Sequence, residues 1–102
     1  MTFEKALRLD DVPVRGVARA NVNGKHVAIV RSEDRVFALH GVCPHEAAPL
    51  GDGSLDGGEL VCPLHEGRFD PETGKANPET DWVSDIRTYP VQVKDGEIWI
   101  DL

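Results

Sequence analysis

Both cysteines of the chain and two of its four histidines fall in two short arms, Cys43-Pro44-His45 and Cys62-Pro63-Leu64-His65. Thiolate and imidazole are strong protein ligands for transition metals. A proline in each arm fixes φ and stiffens the turn. Two Cys and two His at these spacings read as a metal or cluster site. A structural zinc ion accepts a Cys₂His₂ set, but zinc arms usually pair like with like, as C-x₂₋₄-C and H-x₃₋₅-H. Here each arm mixes one thiol with one imidazole. A Cys43–Cys62 disulfide is the third reading; it would leave both histidines unexplained and belongs to an oxidising compartment.

The spacing C-x-H…C-x-x-H resembles the Rieske family, in which a [2Fe–2S] cluster has two Cys on one iron and two His on the other. The resemblance extends to Leu50, Gly53, Gly67-x-Phe69-Asp70, Gly74, Pro78, Tyr89-Pro90-Val91, Val93 and the Asp95-Gly96 turn, so it spans roughly residues 3 to 102. It implies one Rieske-type cluster held by Cys43, His45, Cys62 and His65. Neutral imidazoles in place of two thiolates remove two negative charges, which favours the reduced state and makes the His-bound iron the one that gains the electron. Gly53 and Gly67 would allow backbone amides near the sulfides, or serve as ordinary turn glycines.

Departures from the family pattern carry information as well. High-potential Rieske proteins resemble C-T-H-L-G-C and C-P-C-H-G-S-x-Y, with a disulfide between the extra cysteines and hydroxyls bonded to the cluster sulfurs. Those four positions are Ala48, Leu64, Gly67 and Phe69 in this chain. Fewer donors to the sulfurs stabilise the reduced cluster less, so a low-potential ferredoxin is expected. The resemblance implies a one-electron carrier, the ferredoxin component of a bacterial aromatic-ring-hydroxylating dioxygenase system. Its expected partners are a flavin-containing, NAD(P)H-dependent reductase and a terminal Rieske oxygenase, met through transient contacts. The runner-up readings are a small Rieske-type subunit of an assimilatory nitrite reductase and a zinc-stabilised interaction module.

The elements that must position the arms read as β. Phe3 to Leu9 is a strand candidate, and Gly16 to Val22 and Lys25 to Arg31 flank Asn23-Gly24, a strong hairpin signal. Val27 to Val30 is continuously apolar, as in a strand buried on both faces. Arg35 to Leu39 leads to the first arm, Glu59 to Cys62 delivers the second, and Arg68 to Asp70 leaves it. The glycine-rich stretch 51–58 reads as turns. Ile86 to Val93 reads as one strand with Pro90 at an edge or bulge. Lys94 to Glu97 is a turn before a last strand with Ile98, Ile100 and Leu102 on one face. The expected fold is all-β, a Rieske-like antiparallel sandwich or barrel in one domain, 1–102, with an inserted cluster-binding subdomain at about 41–72.

The chain has 102 residues, 40% of them hydrophobic, and a formal charge of −7. That charge argues against nucleic acid, whose phosphates need Lys and Arg, and against an anionic membrane surface. The opening residues do not read as a signal peptide, and no apolar run approaches a membrane span. A cytoplasmic monomer is expected. No glycine-rich cradle for a nicotinamide or flavin is seen. Residues 46–85 hold ten acidic side chains against Arg68 and Lys75, and Glu46 and Glu66 follow the ligand histidines directly. They are candidates for meeting basic partners, with Pro49 and Leu50 as an apolar centre if exposed. His26 is expected to be a solvated strand residue and His40 to support the first arm. Trp82 and Trp99 are expected to pack in the core or on a sheet.

Overall fold

A computed structural model describes residues 3–44, 48–64 and 66–102. Among the described residues, ten strands run in the order β1 (Phe3–Arg8), β2 (Arg15–Val22), β3 (Lys25–Ser32), β4 (Arg35–His40), β5 (Ser54–Asp56), β6 (Glu59–Val61), β7 (Arg68–Phe69), β8 (Thr88–Tyr89), β9 (Val91–Lys94) and β10 (Glu97–Asp101). They form three antiparallel sheets, β1-β10-β9, β2-β3-β4-β8 and β5-β6-β7. The expected antiparallel all-β architecture is the one observed.

Tight hairpins set the registers. Asn23 and Gly24 both have positive φ (53° and 80°), and Val22 pairs with Lys25. That is a two-residue turn whose twist matches the strands it joins. Asp95-Gly96 repeats it between β9 and β10, with φ of 53° and 74°.

Strand β3 divides the interior. Ala28 and Val30 face one apolar cluster, which includes Leu39, Leu50, Leu60, Phe69, Cys43 and Cys62. Val27 and Ile29 face the other, with Val12, Val22, Ile98 and Ile100. The alternation of successive side chains makes the apolar run 27–30 serve both faces.

Two strand expectations are corrected. Ile86 to Val93 is not one strand: Pro90 lacks an N–H, and the chain passes from β8, paired with β4, to β9, paired with β10. The 51–58 stretch is not all turn. Ser54–Asp56 pairs with Glu59–Val61 through Gly57-Gly58, where φ is 58° and 82°.

The third sheet lies between β4 and β8 in the chain, although those strands are direct neighbours, with Ala38 opposite Tyr89 and Leu39 opposite Thr88. The chain therefore leaves the four-stranded sheet after His40 and returns at Thr88. Both Cys/His arms belong to this excursion.

Candidate metal centre

The first arm grows from the end of β4. Gly41 crosses so close to β3 that a Cβ there would lie 2.5 Å from the His26 carbonyl carbon. Its N–H donates to the His26 carbonyl at 2.9 Å, and its carbonyl accepts from Leu50 N–H at 2.9 Å. Val42 bridges Pro49, and the Cys43 N–H donates to the Ala48 carbonyl at 2.8 Å. A short 3₁₀ turn at Leu50–Asp52 then packs on β2. Gly51 leaves no room for a side chain, since its Cβ would lie 2.7 Å from Arg19 Cα. Arg19 grips Asp52 with two hydrogen bonds, Nε to Oδ1 at 2.6 Å and Nη2 to Oδ2. The guanidinium holds the Asp52 carboxyl below its usual range, and Asp52 raises Arg19 in turn.

The second arm repeats the closure. The Cys62 N–H donates to the Gly67 carbonyl at 2.8 Å, five residues on, as Cys43 does to Ala48. Glu66 takes a positive φ of 56°, and its N–H donates to the Cys62 carbonyl at 3.2 Å. Two loops of equal length, each opened by a cysteine, are thus clamped at their bases. The spacing of the arms did not disclose this equivalence. Its one trace in the sequence is a small residue five positions after each cysteine.

The loops are held from behind. Leu60 and Phe69 pair across β6 and β7, both fully buried. Segment 76–83 is laced to β7: Asn77 N–H donates to the Arg68 carbonyl at 2.8 Å, and Arg68 N–H donates to Thr80 Oγ1 at 3.3 Å. The Arg68 guanidinium binds Asp56 Oδ2 at 2.5 Å and Glu59 Oε1 at 3.1 Å, which raises its pKa and ties β7 to the β5–β6 hairpin.

Cys43 and Cys62 are each 1% exposed and are thiols rather than halves of a disulfide. The disulfide reading therefore fails. His45 and His65 lie outside the described residues, as does Glu46. The pair of thiols can be read directly: two soft sulfur donors, sheltered from water, at equivalent points of two clamped loops suit an iron–sulfur cluster. Low solvent access is one of the levers on such a centre's potential.

Some other expected roles change, while His26 and Trp99 stand as expected. Leu50 is fully buried under the first arm and cannot be an exposed contact, whereas Pro49 is exposed. Trp82 is 44% exposed rather than packed in the core; Trp99 is half-buried on β10. His26 is exposed on β3 and His40 exposed at the end of β4. The want of a side chain at Gly53 is explained by protein contact alone, because a Cβ would lie 2.1 Å from the Val61 carbonyl oxygen.

The family model for the Rieske [2Fe–2S] domain matches residues 3–90. The chain belongs to the Rieske [2Fe–2S] family. Its cofactor is one Rieske-type [2Fe–2S] cluster, which displaces the zinc reading. The Rieske chain is 43% identical over 94 residues to the ferredoxin component of the naphthalene 1,2-dioxygenase/salicylate 5-hydroxylase systems of Ralstonia sp., covering 92% of this chain and 89% of that protein. It superposes on the ferredoxin of carbazole 1,9a-dioxygenase from Nocardioides aromaticivorans IC177 with a TM-score of 0.86 and 34% identity, over 98% of this chain and 97% of that one. It also matches a chain in the complex of reduced oxygenase and oxidised ferredoxin of carbazole 1,9a-dioxygenase, with a TM-score of 0.84 and 29% identity, over 96% and 91% of the two chains. Among the described residues, no helix is long and apolar enough to cross a membrane.

Proposed function

We propose that this chain is the ferredoxin component of an aromatic-ring-hydroxylating dioxygenase system, carrying single electrons from a flavin-containing NAD(P)H reductase to a terminal Rieske oxygenase. The observation that carries this reading is its near end-to-end likeness to ferredoxin components of such systems, including the Ralstonia protein. The oxygenase holds the substrate and performs the hydroxylation; the carrier performs no bond chemistry on it.

The cluster would be held by Cys43, His45, Cys62 and His65, within a unit at about 41–72 of a single domain spanning 1–102. It supplies a reversible one-electron couple. The protein's part is to shelter the two sulfurs and to fix the loops through the Cys43–Ala48 and Cys62–Gly67 hydrogen bonds. Pro44, Pro63 and Leu64 are exposed beside the two cysteines, Leu64 at 61%. They offer a small apolar centre for a short-lived contact, with acidic residues at its rim.

The absence of hydroxyls supports a low potential. Phe69 is fully buried where the high-potential pattern has Tyr, and Gly67 stands in place of Ser. The Ala48 and Leu64 positions differ in exposure, one buried and the other open, and neither can form the disulfide of that pattern. The carrier works as a cytoplasmic monomer.

Reconstitution tests the reading. The holoprotein, a ring-hydroxylating oxygenase and its NADH-dependent reductase are mixed with an aromatic substrate. Product formation that depends on this chain and saturates with it is expected. Rapid reduction of the chain with no transfer to any ring-hydroxylating oxygenase would contradict it.

A further inference from the structure

Five of the eleven Lys and Arg side chains of this acidic protein are in ion pairs among the described residues. Lys5 binds Glu97, Arg15 binds Glu33, Arg19 binds Asp52, Arg35 binds Glu72, and Arg68 binds Asp56 and Glu59. Lys25 and Arg87 are among the remaining six, and they are the two that share a groove. Neither has a carboxylate within salt-bridge distance among the described residues, and both are exposed.

These two cations line the same groove, together with the exposed imidazoles of His26 and His40. The groove runs between the Asn23-Gly24 turn, the end of β4 and the strand-entry segment 85–89. Asp85 is the one carboxylate on its wall among the described residues, and its Oδ1 already accepts from the Ala76 N–H at 2.8 Å. Val42, Pro44 and Ile86 add apolar lining. Cys43 also lies on its wall, so the groove reaches the first cluster arm.

We propose that this groove is a docking site for a carboxylate-bearing surface segment of one of the carrier's redox partners. The inference rests on the carrier reading and adds to it a second contact surface, of opposite sign to the acidic 46–85 region. With a net charge of −7, the protein as a whole repels an acidic partner. Such a partner can be steered to the place where positive groups gather. A carboxylate arriving there gains Lys25 and Arg87 without breaking an internal ion pair; at Arg19 or Arg68 it would have to displace Asp52 or Asp56. The open trough with apolar residues in its lining suits a polypeptide, whose apolar side chains can fill it between the charged contacts. Docking there leaves the partner beside Cys43, within the neighbourhood from which an electron must leave. The acidic region and the groove then hold two partners of opposite charge in different orientations about one cluster.

The test uses the holoprotein and a fluorescein-labelled peptide of alternating Glu and Leu, with the Gln-for-Glu peptide as the uncharged control. Wild type binds the Glu peptide at low salt and binds the Gln peptide far less. Lys25→Glu/Arg87→Glu weakens binding about tenfold or more, while Lys75→Glu/Lys94→Glu, the same charge change elsewhere, changes it little. No binding by wild type, or equal loss in both double variants, overturns the proposal. This arm needs no electron transfer, so it reads the groove even if the carrier reading fails. The second arm measures the KM for the carrier in the reductase step and in the oxygenase step separately. The Lys25→Glu/Arg87→Glu protein raises KM in one step, with kcat and the cluster's visible spectrum unchanged. An unchanged KM in both steps overturns protein docking at this groove.

Discussion

Val83 fills the space that a side chain on Gly67 would need: a Cβ at Gly67 would lie 2.7 Å from Val83 Cγ1. The hydroxyl found at this position in the high-potential pattern is therefore shut out by a valine sixteen residues downstream. Gly67→Ser alone should lower the melting temperature of the holoprotein and speed cluster loss. Gly67→Ser with Val83→Ala should restore much of that stability and raise the reduction potential above that of Val83→Ala. Voltammetry and thermal melts on the three variants check this. A stable Gly67→Ser single variant would show that Val83 yields freely.

Glu66 occupies the left-handed region at φ 56°, where a side chain costs about 1–2 kcal/mol. Its N–H closes the second arm onto the Cys62 carbonyl. Glu66→Gly relieves that strain against a loss of about 0.5–1 kcal/mol in chain entropy, so stability should hold or rise slightly. Glu66→Val, β-branched and intolerant of this region, should destabilise the protein by roughly 1–3 kcal/mol and release the cluster sooner. Denaturant unfolding monitored by the cluster absorption separates the two. Equal stability of both variants would show that the turn relaxes out of this conformation.

The Arg19–Asp52 pair fastens the 3₁₀ turn beneath the first arm to β2. Because Arg19 lowers the Asp52 pKa, the pair's contribution is fully present above the unfolded value of 3.8 and is lost as pH falls through the depressed folded value. The stability gap between wild type and Asp52→Asn should therefore stay constant near neutral pH and close in the acid range below 3.8. Both groups are solvent-exposed, so added salt should shrink the gap. Urea midpoints across pH and salt measure it. A gap that widens as the pH falls would contradict the assignment.

What the sequence reveals depends on where each signal is stored. The two-faced burial of β3 can be read because four apolar residues stand in a row at 27–30, and the hairpins because Asn23-Gly24 and Asp95-Gly96 are turn dipeptides. Strand β5 escapes notice because Ser54-Leu55-Asp56 has one apolar residue and becomes a strand only by pairing with β6. Leu50 misleads in the opposite direction. Its place beside the first arm suggests exposure, yet the 3₁₀ turn folds it fully into the core. Trp82 follows the aromatic preference for burial in type but not in fact. For the metal centre, residue types and spacing point to the family, and the two cysteines they single out are buried at the starts of two loops. The matching closures at Ala48 and Gly67 are made by backbone groups, which every residue possesses, so the small residue at each position is their only trace in the sequence.

The most direct test of the central claim is pulsed EPR of the reduced, iron-reconstituted protein, with iron and acid-labile sulfide counted on the same sample. The account predicts equal iron and sulfide at one [2Fe–2S] cluster per chain, with nitrogen couplings from two imidazoles, one of them lost in His45→Cys and the other in His65→Cys. A colourless protein without sulfide, or a cluster spectrum that lacks nitrogen couplings, would contradict it.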